Sequence, residues 1–477
     1  MSREKTSIHG EWSSRLAFII AATGSAVGLG NIWKFPYITG ENGGGAFVIV
    51  YLLCVAMIGL PVMMAEVLLG KRGRSSPINT MRIIAKEGGH SRLWQLLGWL
   101  GVIAGFLILS YYSVIAGWAL AYIPTLASDM FAAVNTMPQN DVADFAGSVF
   151  NNLVGDPLRL MFWHSLFMMV TITMVIGGVR GGLERAVQFM MPALFIVLLV
   201  LVGYAMNTPE FMKGLHFMFD VDFNKLFYPN GEDWSGKGLL AAMGQAFFSL
   251  SLGMGAIMVY GAYLPKQASI AQTTTAVVVA DTLVAILAGL IIFPIVFSNG
   301  LEVNAGPGLV FHTLPIAFGQ MPFGSVFGTL FFVLLALAAW SSAISLLEPA
   351  VAWLVETVKL SRVTATMACG VAIWLVGFAT IYSFNIWSDI KPLSMLSGFE
   401  NKTIFDLIDY LTSNIMLPLG GLFIAIFVAW LMKRQIVANE LDTSPDTLGF
   451  RFWHFLLRYV APIAVILIFL NAIGVLS

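Results

Sequence analysis

The stretch Ala22–Phe35, A-T-G-S-A-V-G-L-G-N-I-W-K-F, decides how the rest of the chain is read. It lies in an apolar run that begins near Arg15, yet it carries Gly24, Gly28 and Gly30 together with Asn31 and Lys34. In a bilayer core every backbone polar group needs a partner, so a helix loosened by glycines must line a protein-enclosed cavity. Such a break marks a binding site. Gly244–Tyr263, G-Q-A-F-F-S-L-S-L-G-M-G-A-I-M-V-Y-G-A-Y, repeats the pattern five spans later. Paired glycine-interrupted spans in matching positions of two halves are the sequence pointer to inverted repeats around a midplane site.

Composition agrees with a bilayer setting. Hydrophobic residues make up 58% of 477 positions and charged residues 11%, with mean hydropathy +0.84, a surface no soluble domain tolerates. A net charge of −1 gives no basic footprint for nucleic acid. Cys54 and Cys369 both fall in apolar spans, which suggests neither a disulfide framework nor a metal site. The opening M-S-R-E-K-T-S-I-H-G-E-W lacks the apolar core of a cleaved signal. The six histidines lie mostly at span ends or in loops, and neither H-E-x-x-H nor a nucleophile elbow is present, so an enzyme is not expected.

Apolar runs of about 20 residues or more occur near 15–38, 45–70, 93–124, 160–178, 187–206, 238–264, 274–298, 325–355, 363–382, 404–432 and 453–476. The expected fold is an all-α integral membrane protein of about eleven helices. With the N-terminus cytoplasmic, eighteen Lys and Arg collect on that side and six on the other, which predicts a multi-pass plasma (inner) membrane protein with its C-terminus outside. The organisation read from this is a cytoplasmic tail at 1–14, a five-helix unit at 15–206, an outer loop at 207–237, a second unit of opposite topology at 238–432, and a cytoplasmic loop with an eleventh helix at 433–477. An odd number of crossings inverts the second copy. The outer loops at 125–159, 207–237, 299–324 and 383–403 hold Pro, Gly and Asn and suit lids over an entrance.

The motifs S-A-V-G-L-G-N-I-W-K-F-P, E-N-G-G-G-A-F and F-F-S-L-S-L-G-M-G resemble the signature of the neurotransmitter:sodium symporter family, in particular its bacterial amino-acid transporters of eleven spans. The resemblance runs from Trp12 to about Trp430. It implies a sodium-coupled symporter with two inverted five-helix repeats, discontinuous helices one and six, and two sodium ions. The first ion site would fall on Ala26, Asn31, Ser249 and Asp281, the second on Gly24, Val27, Ala338, Ser341 and Ser342. Oxygen donors suit a hard cation. Alone, A-L-A-A-W-S-S reads as small residues for close helix packing; beside the first break it also offers a carbonyl and two hydroxyls on adjacent turns.

Asp281 in V-V-V-A-D-T-L-V is costly in a membrane span unless paired or solvated. Eukaryotic relatives carry asparagine there with a chloride nearby, so the resemblance implies uptake without chloride. It also implies that a substrate carboxylate meets helix-end amides, the first sodium and the Tyr112 hydroxyl, with Tyr111 the alternative. Gly28 stands where amine-transporting relatives carry aspartate, which favours an amino acid. The site would comprise Ala26, Gly28, Gly30, Ile108, Phe248, Ser249, Ser251, Gly253, Met254 and Leu346, and apolar or small walls accept hydrophobic side chains and reject charged ones.

Gates follow from the same resemblance. Lys34 would pair across an outer vestibule with Asp409, and Phe248 would form a lid below. Trp12, Tyr263 and Glu356 would form the inner gate; the family's arginine partner for that acid is His9 here, so His9, Arg3 or Lys5 takes the role, or the tail charges are simply solvated. Gly182 and Pro192 mark span five for kinking or unwinding. Glu66 and Glu348 either serve function or only bond neighbouring helices. The expected activity is import of hydrophobic L-amino acids by alternating access; a sensor or channel that binds an amino acid without coupled transport is the alternative. The substrate's identity and the oligomeric state are left open by the sequence.

Overall fold

The computed structural model describes all residues except 1–6, 230, 232, 302–308, 397–398 and 473–477. Arg3 and Lys5, and part of the outer loops at 207–237, 299–324 and 383–403, lie outside the described residues. Those described form helices and connections without a strand. Among the described residues nine helices are long and apolar enough to cross a bilayer, and Arg15–Ala26 with Gly30–Glu41 makes a tenth span bent by 53° at its break. Lys237–Ser249 and Ala256–Ala262 flank an unwound segment at 250–255 and complete the sixth span in chain order. The architecture is the expected one: an all-α membrane protein whose first and sixth helices are discontinuous.

The two breaks are made differently. In the first, Val27 turns extended (φ −67°, ψ 111°), and no residue from 27 to 30 has positive φ. In the sixth, Ser251, Gly253 and Gly255 all have positive φ (54°, 82° and 74°), a region glycine enters freely and serine only at a cost. The freed amide of Gly253 donates to Glu66 Oε1 at 2.6 Å, from span two. Ser251 Oγ donates to the Ser25 carbonyl at 3.0 Å, tying one break to the other. Glu66 is fully buried, so it is part of the unwound segment's support.

Spans three (Arg92–Ala127) and eight (Gly324–Val358) pack along one another and form the frame against which the broken spans sit. Large apolar side chains on spans five, nine and eleven, such as Phe189, Leu375 and Ile463, point outward, as lipid contact requires. Span five departs from expectation. It begins at Val179, not near 187, and the π-helical turn Val179–Glu184 runs into Arg185–Ala205 without unwinding at Gly182 or Pro192. The glycine serves close approach instead: a β-carbon at Gly182 would lie 2.0 Å from the Met174 carbonyl oxygen of span four.

Candidate functional site

Around the first break, side chains from four spans converge on one point. Asn31 Nδ2 donates to Asp281 Oδ1 (2.7 Å), the Asp281 carbonyl (3.1 Å) and Ser249 Oγ (3.0 Å), while Asn31 Oδ1 accepts from the Gly28 amide (3.1 Å). Ser249 Oγ donates to Asp281 Oδ2 at 2.6 Å, and the Tyr51 hydroxyl approaches Ser249 at 3.4 Å. Asn31 and Asp281 are fully buried and Ser249 nearly so. Among the described residues no Lys, Arg or His pairs with Asp281. A buried carboxylate held only by neutral donors is costly unless it takes up a cation or a proton. Tyr51 was not foreseen; it lies on span two, whose sequence carries no mark of the site.

The second cluster joins the first break to span eight. Ser342 Oγ reaches the carbonyls of Val27 (3.1 Å), Ser25 (3.3 Å) and Gly24 (3.5 Å). Ser341 Oγ lies 3.4 Å from the Val27 carbonyl and 2.9 Å from that of Ala338. Five expected residues thus meet in one place, as an all-oxygen set that suits a hard cation. Ser25, linked to Ser345 through their hydroxyls at 2.8 Å, extends this contact and was not expected.

Between the clusters lies a cavity of about 30 Å³ lined by Ala26, Gly28, Gly30, Ile108, Tyr112, Phe248, Ser251, Met254 and Leu346, all expected, together with Leu29 and Ser342. Two expected residues do not line it. Ser249 belongs to the first cluster. Gly253 faces span ten, where its carbonyl would lie 2.4 Å from a β-carbon at Gly420, so its role is helix contact, a correction that follows from the positive φ of the unwound segment. The cavity wall has no charged side chain. At Gly28 a β-carbon would lie 2.6 Å from Ser342 Oγ and 3.1 Å from the Tyr112 hydroxyl, so any larger residue fills the space between tyrosine and break. The Leu29 amide donates to the Tyr112 hydroxyl at 3.4 Å. Tyr111, the alternative tyrosine, points away toward Thr412 on span ten.

Above the cavity opens a vestibule of about 470 Å³ lined by Lys34, Tyr111, Phe248, Phe405, Asp406 and Asp409 among others. Phe248 borders both spaces and so separates them. The expected ion pair is not formed in this structure: Lys34 Nζ lies 4.0 Å from the centre of the Phe248 ring, and Asp409 Oδ1 accepts from Ser413 Oγ at 2.9 Å. A lysine ammonium is a single point that the aromatic face attracts.

The opposite end is closed. His9 Nε2 lies 3.1 Å from Glu356 Oε1, both nearly buried. Glu356 also accepts from the Ser76 amide and hydroxyl (2.8 and 2.6 Å) and from Asn79 Nδ2 (2.7 Å). Trp12 is 1% exposed, with Nε1 donating to the Tyr260 carbonyl at 3.2 Å. The Tyr263 hydroxyl donates to Glu348 Oε1 at 2.7 Å, and Glu348 is held by both terminal nitrogens of Arg362 at 3.0 and 2.5 Å. Arg362, beyond the expected set, is what makes a fully buried Glu348 tolerable. Glu184, also unforeseen, accepts from the amide of Ser13 (3.0 Å) and from its hydroxyl, fastening the tail to span five.

Residues 9–135 and 154–477 match the sodium:neurotransmitter symporter family. An uncharacterized sodium-dependent transporter of Bacillus subtilis, YhdH, is 37% identical over 469 residues, 98% of each chain. One from Haemophilus influenzae is 33% identical over 464 residues, 96% of this chain and 97% of its own. The crystal structure of MhsT in complex with L-phenylalanine is 40% identical, superposes with a TM-score of 0.85, and covers 97% of this chain and 99% of MhsT. With two oxygen clusters and a cavity gathered at a break in the first helix, and with these relatives along nearly its whole length, the chain belongs to the sodium:neurotransmitter symporter family and is a sodium-dependent membrane transporter, not an enzyme.

Proposed function

We propose that the protein is a symporter that carries hydrophobic L-amino acids together with two sodium ions, without need of chloride, by alternating access. The observation that carries this reading is the uncharged apolar cavity set between two clusters of oxygen donors. A substrate carboxylate would meet the Tyr112 hydroxyl and the amides of Gly28 and Leu29, taking the place of their present side-chain acceptors, where the positive end of a half-helix favours an anion. The Asn31 amide, turned about its axis, presents Oδ1 to an ion beside Asp281 and Ser249. A cation there joins substrate to break, and that shared contact couples the two binding events. Asp281 supplies a fixed negative charge at the first cluster, which removes the need for an anion. The walls formed by Ile108, Met254 and Leu346 exclude a charged side chain, and Met254 adapts to branched or aromatic ones. The cavity is smaller than such a substrate, so loading requires Phe248 to move aside.

We orient the chain with its N-terminus cytoplasmic, from the charge count, and divide it into repeats at 15–206 and 238–432 with span eleven outside them. In this orientation the closed end faces the cytoplasm and the vestibule faces out. The test is uptake into liposomes from a panel of twenty labelled amino acids, with sodium and chloride varied separately. Apolar amino acids are expected to accumulate against their gradient under inward sodium and equally in gluconate. Saturable binding without accumulation would instead establish the sensor or channel. Asp281→Asn is expected to lower chloride-free uptake at least tenfold with partial recovery in chloride; a variant indifferent to both ions removes Asp281 from the ion site.

A further inference from the structure

Span eleven (Leu448–Asn471) lines neither cavity and reaches neither ion cluster, yet it carries an arginine inside a membrane helix. Arg458 follows Leu448 by ten residues, about 15 Å along the axis. An arginine in a membrane helix turns its charge to the headgroup level or takes a partner. Among the described residues no carboxylate pairs with it, and its Nε is buried without a hydrogen-bond acceptor. Instead it is cradled by rings. The guanidinium lies 4.2 Å from the centre of Trp430 and 5.6 Å from that of Tyr459. Trp430 Nε1 donates to the Arg458 carbonyl at 3.2 Å, fixing the indole against span eleven, and Phe455 continues the aromatic row beside Tyr459.

The cradle opens away from the bundle: Trp430, Phe455 and Tyr459 are each about half exposed. Trp430 is the penultimate residue of span ten (Ile404–Leu431), the belt position where indoles mark the headgroup level. Arg451 is exposed and lies two helical turns before Arg458 on the same face. Below the arginines, Ile463, Ile466 and Leu467 form an exposed apolar stripe on the same helix.

We propose that this face binds one anionic phospholipid of the cytoplasmic leaflet, its phosphate on Arg458 and Arg451 and its acyl chains along Phe455, Ile463 and Ile466. The leaflet rests on the orientation proposed above; the binding itself does not, and its test is independent of uptake. A cation with exposed apolar surface running directly into the hydrocarbon matches a phosphate that carries chains, and basic sites between membrane helices take such headgroups.

Native mass spectrometry of the full chain, titrated with phosphatidylglycerol and with phosphatidylcholine of the same chains, tests this. One phosphatidylglycerol is expected to be retained where phosphatidylcholine is lost. Arg458→Gln is expected to weaken retention about fivefold, the effect of one surface cation, and the exposed Arg451→Gln to weaken it in the same direction, which keeps the test open if the first variant misfolds. Millimolar inorganic phosphate is expected not to displace the lipid. Equal retention by wild type and both variants, equal retention of the two lipids, or displacement by free phosphate overturns the proposal. So does cross-linking of Ile463→Cys between two copies in place of lipid, which would make this face an oligomer contact.

Discussion

In the orientation proposed above, the inner and outer ends of the central cavity are built from opposite materials. The inner end is a polar weld: Glu356 gathers His9, Ser76 and Asn79, Glu348 gathers Arg362 and Tyr263, and Trp12 seals the gap. The outer end is a half-open aromatic funnel in which Lys34 rests on Phe248 and is not paired with Asp409. Hydrogen bonds to buried charges are worth roughly 1.5–3 kcal/mol each, whereas a cation over an accessible ring is worth roughly 0.5–1 kcal/mol. The difference teaches which door is the stiffer: the inner end is held by more and stronger contacts, and the outer lid moves at small cost.

The heaviest blow to this asymmetry should come from Arg362→Ala. It strands Glu348, fully buried, without its bidentate partner, and removing one member of a buried pair costs roughly 3–5 kcal/mol. The expected outcome is a much lower melting temperature or loss of folded protein. A double variant, Arg362→Met with Glu348→Gln, should recover much of it. Should the single variant melt like wild type, the inner weld does not depend on this pair.

Glu356→Ala should be milder for folding and more telling for mechanism. It removes the acceptor of every bond in the His9 cluster, and a loss of roughly 3 kcal/mol shifts the closed-to-open ratio by about 10². Hydrogen exchange along Arg15–Ala26, the inner half of span one, should rise accordingly while exchange near the vestibule stays as it was. A uniform rise along the whole chain would instead mean general destabilisation, and the contrast between the two ends would lose its support.

How much of this could be read from the chain alone follows from geometry. Both breaks and the cost of Asp281 were legible because glycine and isolated polar residues in apolar spans are costly unless used, whereas the residues of the oxygen clusters and Tyr112 came from the family resemblance. His9 with Glu356 was legible as one of several partners, and the structure selects it over solvated tail charges. Gly253 was carried into the site by the resemblance alone; at φ 82° the residue turns toward span ten. Leu29, which the resemblance did not single out, also lines the cavity. Gly182 was read as a weak point, although glycine spacing alone does not distinguish loosening from close approach, and here it is the latter. Arg362 and Glu184 were invisible because pairing across spans far apart in sequence leaves no local pattern.

The finest probe of the contrast is Lys34→Arg. The lysine ammonium is a point charge that the Phe248 ring satisfies at 4.0 Å, leaving Asp409 to Ser413. A guanidinium keeps the attraction to the ring and adds a planar fork that engages a carboxylate through two parallel bonds. Because the vestibule admits water, the gain should be that of a partly exposed pair, roughly 0.2–1 kcal/mol, or at most about a fivefold preference for the closed lid. Substrate release toward the outside should slow by that factor, read by dilution of preloaded label, and sodium affinity at the clusters should stay unchanged. If release is as fast as in wild type, Asp409 is out of reach of any residue at position 34, and the outer door is the ring of Phe248 alone. Phe248→Leu should then speed release more than any change of charge at the rim.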